Sequence, residues 1–399
     1  MQPIRRLEGV RAPAPARFLL PLIYLGYISL GLPDGAFGVA WPKVYPELHL
    51  PLGLAGTVLT MGTLFAATSG FSSGWLLARW PTGVIVLVSG LLTSSGLLIL
   101  AHAQGAAWLY ASAVPLGFGA GAVDACLNGF VARHYSGRHM NWLHACWGIG
   151  ASSGPLLIGV AMGTAYGWRG GYLVLGTMQF SLAGLFACTL GWWQRVPERA
   201  ASDAHAASGG KVPTTLANSP AGWLSALIFA FYVAAEMTTG LWAGTVLVAS
   251  RGFTPAMAAV CTACFYAAIT GGRILVGFIV DRHGNRRLIA WGLAVAFAGM
   301  LWFALGAGTP WTAGLALILA GVGFAPVYPC MMHEVPRRFA PEAAQTVTGR
   351  QSGAASLGAA AFPALAGWLA QHSLAAVPAL IAAIIVALTI CVRQLNRMT

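Results

Sequence analysis

Apolar residues run in long blocks along the chain, from "FLLPLIYLGYISLGLPDGAFGVA" near the amino terminus to "LAAVPALIAAIIVALTICV" near the carboxy terminus, with short polar segments between them. Each block approaches the roughly 20 residues that a helix needs to cross a bilayer. The blocks are continuous and rich in Gly, Ala and Leu, and they lack the period-two alternation of a barrel strand. Windows of about 19 residues place twelve helices at 18 to 40, 52 to 78, 83 to 103, 106 to 132, 140 to 165, 171 to 193, 221 to 249, 256 to 280, 287 to 307, 311 to 333, 343 to 370 and 373 to 392. One long polar segment, "QRVPERAASDAHAASGGKVPTTLANSP", divides them six and six. The expected organisation is an amino-terminal six-helix bundle over 1–193, a cytoplasmic linker over 194–220 and a carboxy-terminal six-helix bundle over 221–399.

Composition agrees with this pattern. Of 399 residues, 57% are hydrophobic and 8% charged, against about 25% charged in a soluble domain. The fold class expected is an all-α polytopic membrane protein with twelve transmembrane helices. A net charge of +12 could suggest a nucleic-acid partner, but the positions of the basic residues argue for orientation instead. Of 22 Lys and Arg, 18 fall in the two termini and the even-to-odd loops, and only Lys43, Arg169 and Arg251 lie on the other side, with Arg273 inside a helix. By the positive-inside rule both termini are cytoplasmic, in a bacterial-type inner (plasma) membrane with the lipid bilayer as surroundings. The apolar run after residues 1 to 17 is too long for a signal peptide, so the first helix is expected to be retained.

The seven cysteines all fall within predicted helices and read as small packing residues. Cys261 and Cys264 form a CxxC without a second pair, which is poor evidence for a metal. Cys330, Met331, Met332 and His333 are soft ligands, yet adjacent helical residues point to different sides, so no metal site is assigned.

Three acids lie well inside spans: Asp34, Asp124 and Glu236. Each costs about 2.5 to 3.5 kcal/mol at mid-membrane on insertion scales, so each is either a structural bond between helices or a functional group. A buried carboxyl readily becomes a proton site. At 1.5 Å per residue, Asp34 lies roughly 24 Å from the inner end of helix 1 and Asp124 about 12 Å from that of helix 4, one nearer each mouth. Helical spacing adds neighbours. Asn128 follows Asp124 by four residues, with Gly117 and Gly121 before it, on a face thin enough for a cavity or a close helix. Asn141, His144, Trp147 and Gly148 share a face of helix 5. Tyr232, Glu236 and Thr239 share one of helix 7, whose Gly-rich end could break and turn Trp242 inward. Thr262, Tyr266 and Thr270 line helix 8, and Thr348 and Gln351 are one turn apart in helix 11.

Internal similarity points to duplication. "GWLLARWPTG" from Gly74 and "GFIVDRHGNR" from Gly277 both follow the second helix of their half, offset by 203 residues, and Asp34 and Glu236 are offset by 202. Pro155 to Gly159 and Pro363 to Gly367 repeat a Pro-x-x-x-Gly in the fifth helices. Two halves rocking about a central site are a transporter design.

On these features the chain resembles the major facilitator superfamily over nearly its whole length. "GRILVGFIVDRHGNRR" is similar to that family's cytoplasmic loop motif, which implies a gate made by Gly277, Asp281, Arg282, Gly284 and Arg286. The amino-terminal copy departs from it, with Ala78 where the acid belongs, so any charge latch there is expected to be weak or missing. "GLPDGAFGVAWP", "GFGAGAVDACLNGF" and "NWLHACWGIGA" look most like the fucose, galactose and glucose proton symporter branch, fucose permease-like. The resemblance implies proton coupling through Asp34 and Asp124, but helix 4 has Asp where that branch has Glu, so the sugar cannot be carried over. Members of the superfamily mostly work as monomers, and a monomer is implied here.

The expectation is a proton-coupled secondary transporter importing a small neutral polar solute by alternating access, a monosaccharide first. Asn128, Asn141, His144, Trp147, Glu236, Tyr266 and Gln351 are the candidate substrate contacts. No G-x-x-x-x-G-K-[ST] loop appears, so ATP is not the direct driver and a proton gradient takes the place of a cofactor. The rivals are a proton-driven exporter of lipophilic compounds, a soft-metal importer and a non-transporting receptor. The spans hold no convincing nucleophile and base pair and no H-E-x-x-H set, so no enzyme is expected.

Overall fold

The computed structural model describes residues 14–34, 36–51, 53–196, 213–306 and 309–399. Residues 1–13 and 197–212, which hold part of the basic set and most of the expected linker, lie outside the described residues. Among the described residues there is no strand, and twelve spans are long and apolar enough to cross a membrane.

Span 1 comprises two helices, Ala14–Gly31 and Ala36–Glu47. Spans 2 to 6 are Leu54–Leu77, Thr82–Ala101, Ala106–His134, Gly137–Met162 and Gly167–Cys188. Spans 7, 8 and 9 are Pro220–Arg251, Pro255–His283 and Asn285–Gly306. Span 10 is again two helices, Pro310–Phe324 and Val327–Arg338, and spans 11 and 12 are Pro341–Ala370 and Ala376–Met398.

The starts of several spans are written locally. Ser219, Thr254 and Thr309 each accept a main-chain N–H at a helix N-cap and are followed by Pro220, Pro255 and Pro310 at the first turn, where a missing N–H costs nothing.

Two expectations about continuity change. Helix 1, expected unbroken over 18 to 40, is interrupted after Gly31 and resumes to Glu47. Pro33 lacks an N–H and disfavours helical geometry at Leu32. Span 10 is interrupted at Ala325 and Pro326, where Pro326 lacks an N–H although both residues keep right-handed helical dihedrals. Span 7 runs unbroken through its glycines, and Trp242 is tied to span 11 by a 3.1 Å bond from its indole N–H to the Pro363 carbonyl.

Glycine sets the closest approaches. A Cβ on Gly150 or Gly154 would run into the carbonyls of Ile28 and Leu32, and one on Gly31 into the carbonyl of Trp147. Spans 1 and 5 therefore touch backbone to backbone, as small residues permit in membranes. Gly117 and Gly121 stand likewise against the carbonyls of Gly62 and Ala66. That face of span 4 serves a close helix, span 2.

The short connections between spans 2 and 3, 4 and 5, 8 and 9, and 10 and 11 share one end of the bundle with Arg79, Arg133, Arg138, Arg282, Arg286, Arg337 and Arg338, here termed the basic end. The first six spans meet the last six towards this end, along two main seams and through smaller contacts of spans 4 and 5 with spans 10 and 11. Span 2 packs on span 11, where Gly70 faces Gly353 and Gly74 faces Thr346. Span 5 packs on span 8 from Gly148 against Thr270 down to Gly137 against Val280. At the opposite end Gly38, Gly53 and Gly56 face open space.

Candidate functional site

Asp34 follows the interruption of span 1, about 24 Å from Phe18 and about 20 Å from Glu47 at helical rise. Its position in a non-helical turn is a consequence of Pro33, and irregular backbone at membrane depth is tolerated where it lines a cavity. The side chain is exposed, and its Oδ2 accepts a 2.8 Å hydrogen bond from the Trp147 indole N–H. Trp147 in turn lies 5.9 Å below the Arg273 guanidinium of span 8. Asp34 thus belongs to the side of the first six spans that faces the last six.

Asp124 lies one layer deeper. Its Oδ1 accepts from the Tyr27 hydroxyl and from the Asn128 amide, each at 3.0 Å. Asn128 passes the chain on, its Oδ1 lying 3.0 Å from His144 Nε2. That contact requires the Nε2–H tautomer of a neutral ring or an imidazolium. Tyr27 and Tyr328 both pack edge-on to the His144 ring, with centroids 5.5 and 4.8 Å away. Among the described residues no Lys, Arg or His forms an ion pair with Asp34 or Asp124. Neutral donors surround both acids.

Glu236 differs. It is buried, and its Oε2 lies 3.6 Å from Arg273 Nη2, in an ion pair between spans 7 and 8. Arg273 also reaches the Tyr232 hydroxyl at 3.3 Å and the His144 carbonyl at 3.4 Å. Tyr266 packs its hydroxyl over Gly240, one turn beyond Glu236 on span 7.

Asp34, Asp124, Asn128, His144, Trp147 and Glu236 therefore form one connected cluster, with Tyr266 at its border. Two expected contacts stand apart. Asn141 is fully buried on the span 5 seam, donating to the Gly137 carbonyl and to Cys330 Sγ at 3.8 Å. Gln351 donates to Ser225 Oγ at 2.6 Å, holding span 11 to span 7. Both amides bond helices together in this state. The sequence reading missed Tyr27, two turns before Asp34 on the same span, and gave no role to Arg273 although its charge inside a helix was visible.

The loop motif folds as a set. Gly284 has φ +80°, the left-handed region that glycine tolerates, and ends span 8. Gly277 lies under the Trp142 indole, whose N–H reaches the Ile274 carbonyl at 3.3 Å. Asp281 faces Arg138 across the seam at 3.9 Å, and Arg282 is exposed beside it. Arg286 and Asn285 bond Glu334 of span 10 at 3.2 and 2.8 Å. His333 crosses the seam, 3.1 Å from the Tyr135 carbonyl, so the nearby cysteine and methionines pack rather than join it. In the amino-terminal copy Arg79 stacks on Trp75 at 4.0 Å, and among the described residues no ion pair joins spans 2 and 11.

Solved structures share this architecture. The proton:xylose symporter XylE bound to 6-bromo-6-deoxy-D-glucose superposes with a TM-score of 0.77 at 13% identity, covering 95% of each chain. The E. coli fucose:proton symporter FucP gives 0.75 at 15%, covering 96% of this chain and 99% of that one. The human organic anion transporter MFSD10 (TETRAN) gives 0.70 at 15%, covering 95% and 100%. At such identities the likeness shows the fold. No curated protein matches the sequence significantly. The family model of the Major Facilitator Superfamily, however, matches residues 23–363, and with twelve spans meeting in two seams the chain belongs to that superfamily.

Proposed function

We propose that the protein is a proton-coupled secondary transporter that imports a small neutral polar solute, a monosaccharide foremost, with the basic end cytoplasmic and the two sets of six spans as the rocking halves. One observation carries the reading: Asp34 and Asp124 sit at mid-span among neutral donors, one exposed and one deeper, with no cation paired to either among the described residues. Two uncompensated carboxylates cost several kcal/mol at that depth unless protonated or hydrated. Proton binding removes the cost, and an acid whose access to water changes with the orientation of the halves becomes a carrier.

His144, Asn128 and Trp147 tie both acids to the wall that the substrate would touch, so solute and proton can depend on each other. Sugar-ring faces stack on indoles and sugar hydroxyls bond amides, a chemistry that Trp147, Tyr266 and Asn128 supply. The likeness to two sugar:proton symporters supports the same reading.

The test is alkalinisation of the medium by de-energised cells expressing the protein, across hexoses, pentoses and deoxy sugars. One sugar is expected to raise the external pH. Asp124→Asn and Asp34→Asn are each expected to reduce the rise at least tenfold while the protein remains in the membrane. If no sugar moves protons through a folded wild-type protein, sugar symport is wrong and competition by lipophilic compounds should be examined.

A further inference from the structure

Arg273 is 3% exposed and reaches out of span 8 in two directions. Within the last six spans Nη2 meets Tyr232 and Glu236, at 3.3 and 3.6 Å. Across the seam Nη1 donates to the His144 carbonyl at 3.4 Å, and Nε is buried without a partner. A guanidinium serving only as counter-ion to one carboxylate is expected to grip it through two short parallel bonds of about 2.7 to 2.9 Å. Here every polar contact is long and the charge is divided between the two sets of spans. Such a division is poorly suited to a fixed internal pair and well suited to a contact that breaks in each cycle. The carbonyl it reaches belongs to the residue whose ring continues to Asn128 and Asp124.

We infer that Arg273 is a positioning residue that straps span 5 to span 8 while the basic end is closed, and that opening of this end exchanges the His144 carbonyl for full pairing with Glu236. The inference rests on the proposed rocking of the two sets of spans. It names a step of that motion and not a substrate.

The protein carries its own reporter. Cys330 of span 10 is fully buried, with Asn141 of span 5 against its sulfur, so it becomes reachable when the seam parts. Cys126 is equally buried inside the first six spans and reports on folding. The measurement is the rate of alkylation of each by N-ethylmaleimide, read by peptide mass mapping on the full-length protein in proteoliposomes without substrate. In R273Q/E236Q both charges leave together, so no unpaired buried ion remains. Cys330 is expected to react at least tenfold faster than in the wild type, with Cys126 unchanged. If Arg273 only neutralises Glu236, the neutral pair keeps Cys330 protected, and that result overturns the inference. Should Cys126 also become reactive, R273K decides, since Glu236 keeps a cation but the second arm is gone: faster Cys330 alkylation with quiet Cys126 supports the strap, and any other pattern refutes it. Because no solute enters the assay, failure of the sugar assignment would leave its outcome unaffected.

Discussion

The two seams at the basic end do the same job with different chemistry. Between spans 2 and 11, Gly70, Ser73, Gly74, Thr346, Gly349 and Gly353 let two backbones touch, and among the described residues no charge pair crosses. Between spans 5 and 8 the contact is carried by side chains: Arg273 on the His144 carbonyl, Trp142 over Gly277, and Arg138 facing Asp281. The two seams thus make the same kind of contact by different means. One seam closes by shape, which is steep and short in range. The other closes by polar groups, which can be traded for new partners as they part.

Substitutions can break this contrast in order of severity. Gly349→Val should do the most damage, because its Cβ would overlap Ser73 Oγ and the Gly70 carbonyl, and a backbone cannot swing aside. Overpacking of this kind costs about 3 kcal/mol at the upper end, a shift of roughly a hundredfold or more in the closed population. Spin-label distances between positions 79 and 342 are expected to lengthen accordingly. A smaller effect is expected from Gly277→Ala, since the methyl displaces an indole that can rotate. The expected cost is about 1 kcal/mol, with widening confined to spans 5 and 8. Asp281→Asn should matter least. Its 3.9 Å pair with Arg138 joins side chains that are 43% and 44% exposed, and such pairs contribute about 0 to 1 kcal/mol and fade with salt. A twofold change at low ionic strength that disappears at high salt would fit. A tenfold change that survives salt would mean that the polar seam rests on its exposed pair and not on its buried strap.

Much of this was legible in the chain. The hydrophobic blocks marked all twelve spans because an apolar helix satisfies nearly all of its own backbone groups in lipid. Mid-span acids stood out because they are costly there. The interruption of span 1 was less visible, since Pro115 and Pro155 lie inside unbroken helices and proline by itself does not distinguish a kink from a break. Periodicity placed Asn141 and His144 on one face of span 5 correctly, but it cannot say what stands opposite. One amide meets a seam and the other residue meets the acid cluster. Arg273 was conspicuous and unassigned for the same reason: its three partners come from positions 144, 232 and 236, and only folding brings them together.

The glycine contacts between spans 1 and 5 bear on how such a carrier treats the two sides of its membrane. With Gly31, Gly150 and Gly154 admitting no space, Asp34 and Trp147 are mounted on one stiff panel and travel together. In the proposed alternating-access cycle this panel forms one wall of the site in both orientations, so Asp34 and Trp147 keep their mutual geometry. A cysteine pair placed across spans 1 and 5 beside these glycines is then expected to be tolerated without loss of the proposed transport.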